Sequence, residues 1–388
     1  MKKLLIIAFS LFVTSVFAQM YPKQYALIKG SVITGGKTDW IPYVNNENMV
    51  FSQNGNYLFI AHAKQKEEGK IVVYSTSIKD VVKTFKIKKT GLYTYNGKII
   101  CNPNNSNQLA IVVGKSEVRV IQNWQTAPED VLLQKPNENS VSINALVANG
   151  QMSFSVDGKS LYIIENDGKA LYDYQEDIKS VDLATGKITV IKMPDKKFPC
   201  TTYHVDAFIG SDEVIVFNQD KKTLKSNVEV YNLKTNQFVR KFESGVTPQS
   251  SIGNPKILFF KSDGYFMSLY DGEKDAVVER IKKSLSGDKS SLDIHYVPGK
   301  GFVVAYLYYD QSVRKSGGYE ITNTKTQKGL FFFDKNGNNV MGSFPDVNAK
   351  IPNTGVRNYQ ISPNGKYIIF NHDDDKESKN ERLVIATL

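Results

Sequence analysis

Apolar positions along this chain come in short runs that break at Asn-Gly or Asp-Gly. Met49-Val50-Phe51-Ser52-Gln53-Asn54-Gly55-Asn56-Tyr57-Leu58-Phe59-Ile60 sets the phrase. Met152-Ser153-Phe154-Ser155-Val156-Asp157-Gly158-Lys159-Ser160-Leu161-Tyr162-Ile163 and Tyr359-Gln360-Ile361-Ser362-Pro363-Asn364-Gly365-Lys366-Tyr367-Ile368-Ile369-Phe370 repeat it. Each predicts a strand, a two-residue turn and a second strand. Asn-Gly and Asp-Gly tolerate the positive φ that such a turn requires. The flanking Phe, Tyr, Ile, Leu and Val suit pleated strands. The runs after Gly55, Gly158 and Gly365 are nearly continuous, as in strands buried on both faces.

Weaker copies fill the intervals. Ile99-Ile100-Cys101 leads to Leu109-Ala110-Ile111-Val112-Val113, and His204-Val205-Asp206-Ala207-Phe208-Ile209 to Val214-Ile215-Val216-Phe217. Ser251-Ile252-Gly253-Asn254-Pro255 leads to Ile257-Leu258-Phe259-Phe260, and Ile294-His295-Tyr296-Val297 to Phe302-Val303-Val304-Ala305. The copies recur about every 40–65 residues, near the period of four-stranded blades. Each copy is followed by a second hairpin. Ile71–Tyr74 faces Val82–Phe85, Lys179–Leu183 turns at Thr185-Gly186 into Ile188–Ile191, and Val228–Tyr231 faces Phe238–Arg240. Gly329–Phe333 turns at Asn336-Gly337 into Val340-Met341. The expected fold class is all-β, a single seven-bladed β-propeller of four-stranded blades. The last repeat is one strand short, and Gln24-Tyr25-Ala26-Leu27-Ile28-Lys29 is available to complete it and remove two unpaired edges.

The phrase resembles the WD40-like (PD40, TolB-like) propeller repeat, Phe-Ser-Pro-Asp-Gly-Lys-x-Ile-x-Phe. Ile361 to Phe370 matches best, and Phe154-Ser155-Val156-Asp157-Gly158-Lys159 next. No repeat ends in Trp-Asp, so the chain departs from true WD40 sequence. It also departs from the sialidase Asp-box, which places a residue between Asp and Gly. The resemblance implies shape more than chemistry, since propellers of this kind bind proteins or glycans or carry enzyme sites.

The N-terminus reads as a secretory signal over residues 1–18. Lys2 and Lys3 form its charged region, Leu4 to Phe12 its apolar region and Val16-Phe17-Ala18 its cleavage site. The apolar run is too short to span a bilayer, and no transmembrane anchor is expected. Residues 19–388 form one propeller domain in this reading, periplasmic or secreted, and a monomer. The formal charge of +10 would fall to about +8 on cleavage. An exported chain without an Arg-rich run is not expected to bind nucleic acid. The two cysteines, Cys101 and Cys200, fall in non-neighbouring repeats and are expected as free thiols.

Turns between first and second strands are short, and most between third and fourth strands are too. The second-to-third connections are longer and polar: Ala61 to Gly69, Glu165 to Asp177, Asn218 to Ser226, Tyr308 to Lys328 and Asn371 to Asn380. Long loops on a rigid scaffold carry function more often than short turns. Trp40, Tyr43, Tyr95, Tyr203 and Tyr359 precede or open first strands, where aromatic rings with polar tips suit sugar or peptide contact, although packing between blades would also use them. His62, His204 and His372 fall at the same end. His372-Asp373-Asp374-Asp375 suggests a metal, yet no ligand spacing supports one and a solvated acidic loop accounts for it. No catalytic motif occurs, and neither cofactor nor metal is expected. The functional expectation is a non-catalytic exported scaffold that recognises a protein or glycan through its long-loop face. The alternative is a lactonase-like or lyase-like propeller enzyme with its site at the channel mouth.

Overall fold

The computed structural model describes residues 25–27, 49–62, 69–87, 99–113, 117–145, 147–165, 177–192, 200–209, 212–220, 222–223, 226–242, 246–249, 257–261, 266–270, 275–277, 289–297, 301–316, 319–334, 339–341, 359–373 and 381–387. Regular structure among them is entirely β. In chain order, β1 (Tyr25–Leu27) is followed by β2 (Met49–Phe51), β3 (Tyr57–His62), β4 (Gly69–Ser75) and β5 (Asp80–Ile87). Next come β6 (Ile99–Cys101), β7 (Leu109–Val112), β8 (Glu117–Ile121) and β9 (Ser140–Asn144), then β10 (Val147–Phe154), β11 (Ser160–Glu165), β12 (Asp177–Asp182) and β13 (Ile188–Ile191). β14 (Cys200–Ile209), β15 (Glu213–Asp220), β16 (Ser226–Asn232) and β17 (Gln237–Phe242) precede β18 (Val246–Gln249), β19 (Ile257–Lys261), β20 (Phe266–Tyr270) and β21 (Asp275–Val277). The series ends with β22 (Lys289–Val297), β23 (Gly301–Ser316), β24 (Tyr319–Asp334), β25 (Asn339–Met341), β26 (Tyr359–Ile361), β27 (Tyr367–Asp373) and β28 (Glu381–Thr387).

Among the described residues these strands form seven four-stranded antiparallel sheets. Six are simple meanders, from β2–β5 through β22–β25. The seventh has the order β1-β28-β27-β26, with Tyr25, Ala26 and Leu27 opposite Ala386, Ile385 and Val384. The segment before the first repeat thus supplies the fourth strand of the last sheet. Two compact units divide the chain: residues 38–277, which hold β2 to β21, and residues 1–37 with 278–388, which hold the other two sheets.

Within the larger unit, consecutive sheets stack through alternating side chains. Leu109 and Ile111 of β7 join Val50, Phe59, Ile71, Val73 and Phe85 of the first sheet in one core. Their neighbours Ala110 and Val112 turn the other way, onto Met152, Phe154, Leu161 and Ile163. On β11, Tyr162 and Ile164 leave that core and pack on Val214, Val216 and Tyr231. Sheets buried on both faces require apolar residues at every position of their central strands, which is why those strands read as unbroken runs. Each fully buried Phe, Leu or Ile contributes about 1.5–3 kcal/mol relative to exposure.

The repeated phrase builds the same turn three times, and it is not a two-residue turn. Gly55, Gly158 and Gly365 have φ of 71°, 68° and 65°, but Asn54, Asp157 and Asn364 stay outside the left-handed region. The N–H of each glycine donates to the carbonyl of Ser52, Ser155 or Ser362 at 2.8, 2.9 and 2.8 Å, which closes a four-residue loop around an ordinary turn. The serine hydroxyl donates to Oδ1 of Asn54, Asp157 or Asn364 at 2.7, 2.6 and 2.7 Å. The same hydroxyl oxygen accepts the N–H of Tyr57, Ser160 or Tyr367 at 3.0, 2.9 and 2.9 Å. The Asn or Asp is therefore selected as a side-chain acceptor, not for positive φ.

Turns between third and fourth strands form a second recurring type. Lys79 N–H donates to Ser75 O at 2.9 Å and Gly186 N–H to Asp182 O at 2.8 Å. The fourth loop residue is left-handed in each case: Lys79 at φ 57°, Gly186 at 69° and Asn236 at 52°. Thr76, Leu183 and Leu233 N–H then bond Asn56, Lys159 and Asp212 O at 3.0, 2.9 and 2.7 Å, tying the two turns of each sheet together.

One third-to-fourth connection departs from the expected short turn. Residues 122–139, between β8 and β9, fold into a clasp against the first sheet. Trp124, Ala127, Val131 and Leu132 of the clasp are buried in the core shared with Phe59 and Phe85. The Trp124 ring meets Tyr57 and Phe59 edge-on at 4.9 and 5.7 Å between centroids, and its Nε1–H donates to Ser106 O at 2.8 Å. Lys86 N–H, on the outer edge of β5, donates to Glu129 O at 2.8 Å. The buried Arg119 holds the clasp from below, donating to Gln134 O at 2.8 Å and Ser140 Oγ at 3.1 Å, with Glu117 as its counter-ion.

Candidate binding surface

Every sheet presents two ends, and they differ. At one end lie the first-to-second and third-to-fourth turns, and in the described turns of the larger unit the polar groups cited below are engaged by the fold. Asn102 Nδ2 donates to Gly158 O at 2.8 Å and Gln108 Oε1 at 2.6 Å, and Asn104 Nδ2 donates to Val156 O at 2.5 Å, so the turn of the β6–β9 sheet grips that of the next. Asp212, leading into β15, accepts from Val156 N–H at 3.1 Å and the Tyr162 hydroxyl at 3.2 Å. Titrations at this end are displaced for structural reasons. Hydrogen bonds from Ser155, then from Lys159 N–H, hold the Asp157 carboxyl below its usual range. Thr185 does the same for Asp182. Burial first, and Asp212 second, raise Glu213 and Tyr162.

At the other end lie the second-to-third connections. His62 closes β3 opposite Lys70, and His372 lies near the end of β27 opposite Arg382. Tyr359 opens β26 opposite Phe370, while Tyr203 and His204 lie in the opening half of β14 opposite Asn218 and Phe217. All five residues therefore occupy, each in its own sheet, the end that carries the longer connections. Trp40, Tyr43 and Tyr95 lie outside the described residues. Among the described residues no group of three His, Cys, Asp or Glu side chains is placed to hold a metal ion. Cys101 is a free thiol, pushed up to about 12 by burial. Cys200 is the first residue of β14.

Strands reach into the loops expected at this end. β15 runs on to Asp220 and pairs Gln219 with Ser226, which shortens the connection expected from Asn218. The larger correction falls at Tyr308 to Lys328. There β23 and β24 continue in unbroken register from Tyr308↔Gln327 to Ser316↔Tyr319. β22 accompanies this hairpin only to Tyr308, and β25 only near Phe332 and Phe333. The eight outer pairs form a two-stranded ribbon that extends about 26 Å beyond its sheet, at about 3.3 Å per residue. Opposite charges face each other in its register, Asp310 with Lys325 and Lys315 with Glu320.

No family model matches the sequence, and none of the curated proteins does. Solved structures do match the fold. The oligogalacturonate lyase of Vibrio parahaemolyticus superposes with a TM-score of 0.51 at 12% identity, covering 94% of this chain and 96% of that chain. The WD40 repeats of RRP9 give 0.49 at 12% identity, covering 95% and 98%. A member of the duf4221 family from Bacteroides vulgatus gives 0.42 at 14% identity, covering 94% and 97%. The superposition on the lyase, with the four-stranded antiparallel sheets, gives the chain the general fold of a β-propeller. At such identities the likeness extends to the fold alone.

Proposed function

We propose that this chain is an exported, non-catalytic propeller of seven blades, the last closed by β1, that binds a protein or glycan through the face carrying its second-to-third strand connections. The β23–β24 ribbon carries this reading. An isolated two-stranded ribbon is marginally stable in water, and among the described residues no third strand pairs with 309–316 or 319–326. A segment of that kind gains most from a partner laid against it. The short-turn end offers less, because a ligand there would compete with hydrogen bonds that hold the turns.

The test is capture from envelope extract together with a glycan array. Two variants decide it: one replaces residues 309–326 by an Asn-Gly turn between Tyr308 and Gln327, and the other carries Asn54→Ala at the short-turn end. Loss of capture in the first and retention in the second support the reading. Alanine at Trp40, Tyr203 or His372 should also weaken capture. Retention in the ribbon-deleted form, or turnover of a lactone or uronate substrate that His62→Ala or His372→Ala abolishes, would replace it with the enzyme reading.

A further inference from the structure

We propose that the outer edge of the third sheet, strand β13, is a docking strand for an extended polypeptide segment whose β-branched core is flanked by acidic residues. β13 is Ile188-Thr189-Val190-Ile191, and its first three residues are exposed, Ile188 by 46% and Val190 by 50%. It pairs with β12 in continuous register, Ile188 to Ile191 against Val181 to Ile178, without a bulge. An antiparallel ladder uses only half of an edge strand's N–H and C=O groups, and the rest point away from the sheet.

Natural edges are guarded by charge, by bulges or by a covering segment. Outer strands of two other sheets are guarded, and the adjacent β9, uncharged and regular in register, keeps its Ile143 buried instead of exposing apolar side chains. β5 carries Lys83 and Lys86, is irregular opposite Val73 and Tyr74, and is covered by the clasp through Lys86 N–H to Glu129 O and Lys83 Nζ to Gln125 O, each 2.8 Å. β17 carries Arg240 and Lys241 and is irregular opposite Val230 and Tyr231. β13 has no charge within it, no bulge and, among the described residues, no cover. Such an edge is a template for one more strand.

Charge selects the occupant. Exposed Lys187 and Lys192 bracket the strand. Asp182 lies beside Lys187, but its carboxylate is engaged by Thr185 and by Ala184 N–H at 2.8 and 3.1 Å. A second copy paired antiparallel about the centre of β13 would set Lys187 against the other Lys192 at both ends, which is repulsive. A strand with acidic residues at those two positions turns the same pairs attractive.

The test uses the full chain and a fluorescein-labelled peptide, Glu-Glu-Val-Thr-Val-Thr-Glu-Glu, read by anisotropy beside a control with Lys in place of Glu. The acidic peptide should bind about tenfold tighter than the control at low salt, as two exposed ion pairs allow. The preference should fade at about 0.5 M NaCl. The double variant Lys187→Glu/Lys192→Glu should reverse the preference. Val190→Asp, at a half-exposed side chain, should abolish binding while leaving the melting temperature unchanged. Equal binding of the two peptides, or a preference that survives the charge reversal, would overturn the proposal. So would a concentration-dependent dimer that Val190→Asp dissolves, because the edge would then belong to a second copy.

Discussion

Replacing Gly158 by alanine should destabilise the fold far more than replacing Gly186, although both glycines sit at nearly the same φ, 68° and 69°. Left-handed φ costs an L-residue about 1–2 kcal/mol at either site. At Gly186 that is the whole penalty, since a Cβ there meets nothing within 4 Å. At Gly158 a Cβ would lie 2.3 Å from Asn102 Oδ1 and 3.0 Å from its Cγ and Nδ2. Asn102 is buried and cannot swing aside freely. Its Nδ2 donates to Gly158 O and Gln108 Oε1, and its Oδ1 accepts Asn104 N–H at 2.9 Å. Displacing it breaks about two hydrogen bonds whose buried groups find no substitute, at about 1–3 kcal/mol each. Gly158→Ala should therefore cost about 3–8 kcal/mol in urea unfolding, against about 1–2 kcal/mol for Gly186→Ala. A double-mutant cycle isolates the contact. In an Asn102→Ala background the obstructing atoms are gone, and Gly158→Ala should cost no more than Gly186→Ala. Equal penalties for the two glycines in the unaltered background would refute the reasoning.

Further outcomes follow from single groups. Lys79→Gly should stabilise by about 1 kcal/mol, because Lys79 occupies φ 57° where glycine has no penalty; calorimetry reads it. Tyr74→Phe should be neutral or stabilising at pH 7, since the buried Tyr74 hydroxyl has no hydrogen-bond partner among the described residues. Burial, then Asp80, push that hydroxyl from 10.0 up to about 12, so its contribution is complete below pH 10 and is lost as pH rises toward 12; Tyr74→Phe should remove that part of the alkaline loss. Asp157 behaves oppositely. Its carboxyl is depressed in the folded state, so the stability it confers is present above the unfolded value and lost as pH falls, and Asp157→Asn should flatten the acid limb while keeping the turn that Asn54 and Asn364 make. Trp124→Ala should cost about 3–5 kcal/mol by emptying the clasp's place in the core, with urea titration as the measure.

The hairpins were legible in the sequence because three independent cues agree at residues 49–60, 152–163 and 359–370: a turn dipeptide, β-branched or aromatic flanks, and continuous apolar runs. The runs were correctly read as strands buried on both faces, and Leu161 to Ile164 shows why, since its side chains alternate between two cores. The turn type was not legible from Asn-Gly alone, because that dipeptide serves both the two-residue turn and the four-residue loop found here. The discriminating residue was the serine three positions before each glycine, Ser52, Ser155 and Ser362, whose hydroxyl closes the loop. The clasp was missed for a related reason. Its apolar residues, Trp124 and Val131-Leu132-Leu133, lie between copies of the phrase and obey neither strand period. An 18-residue interval containing a tryptophan was the available signal.

The ribbon escaped because residues 309–326 are mostly polar, with only Tyr309, Val313, Tyr319 and Ile321 as large apolar or aromatic residues and no sustained apolar alternation among them. Its signals were Gly317-Gly318 at the centre and charges that complement each other only when the chain folds back there, Lys315 on Glu320 and Asp310 on Lys325. Those charges favour one register of the two strands. The opposite end of the sheets is the reverse case: Ser155, Asp157, Asn102 and Asp212 are polar, and their hydrogen bonds are already consumed by turns and sheet-to-sheet contacts. Polar groups spent on the fold are poor ligand contacts, because a ligand must first displace what they hold. The outer ribbon has no third strand paired with it among the described residues, so a partner there has no sheet hydrogen bonds to displace. That difference in cost, more than loop length itself, is the physical reason to look for the ligand at the end of the sheets where β23 and β24 extend.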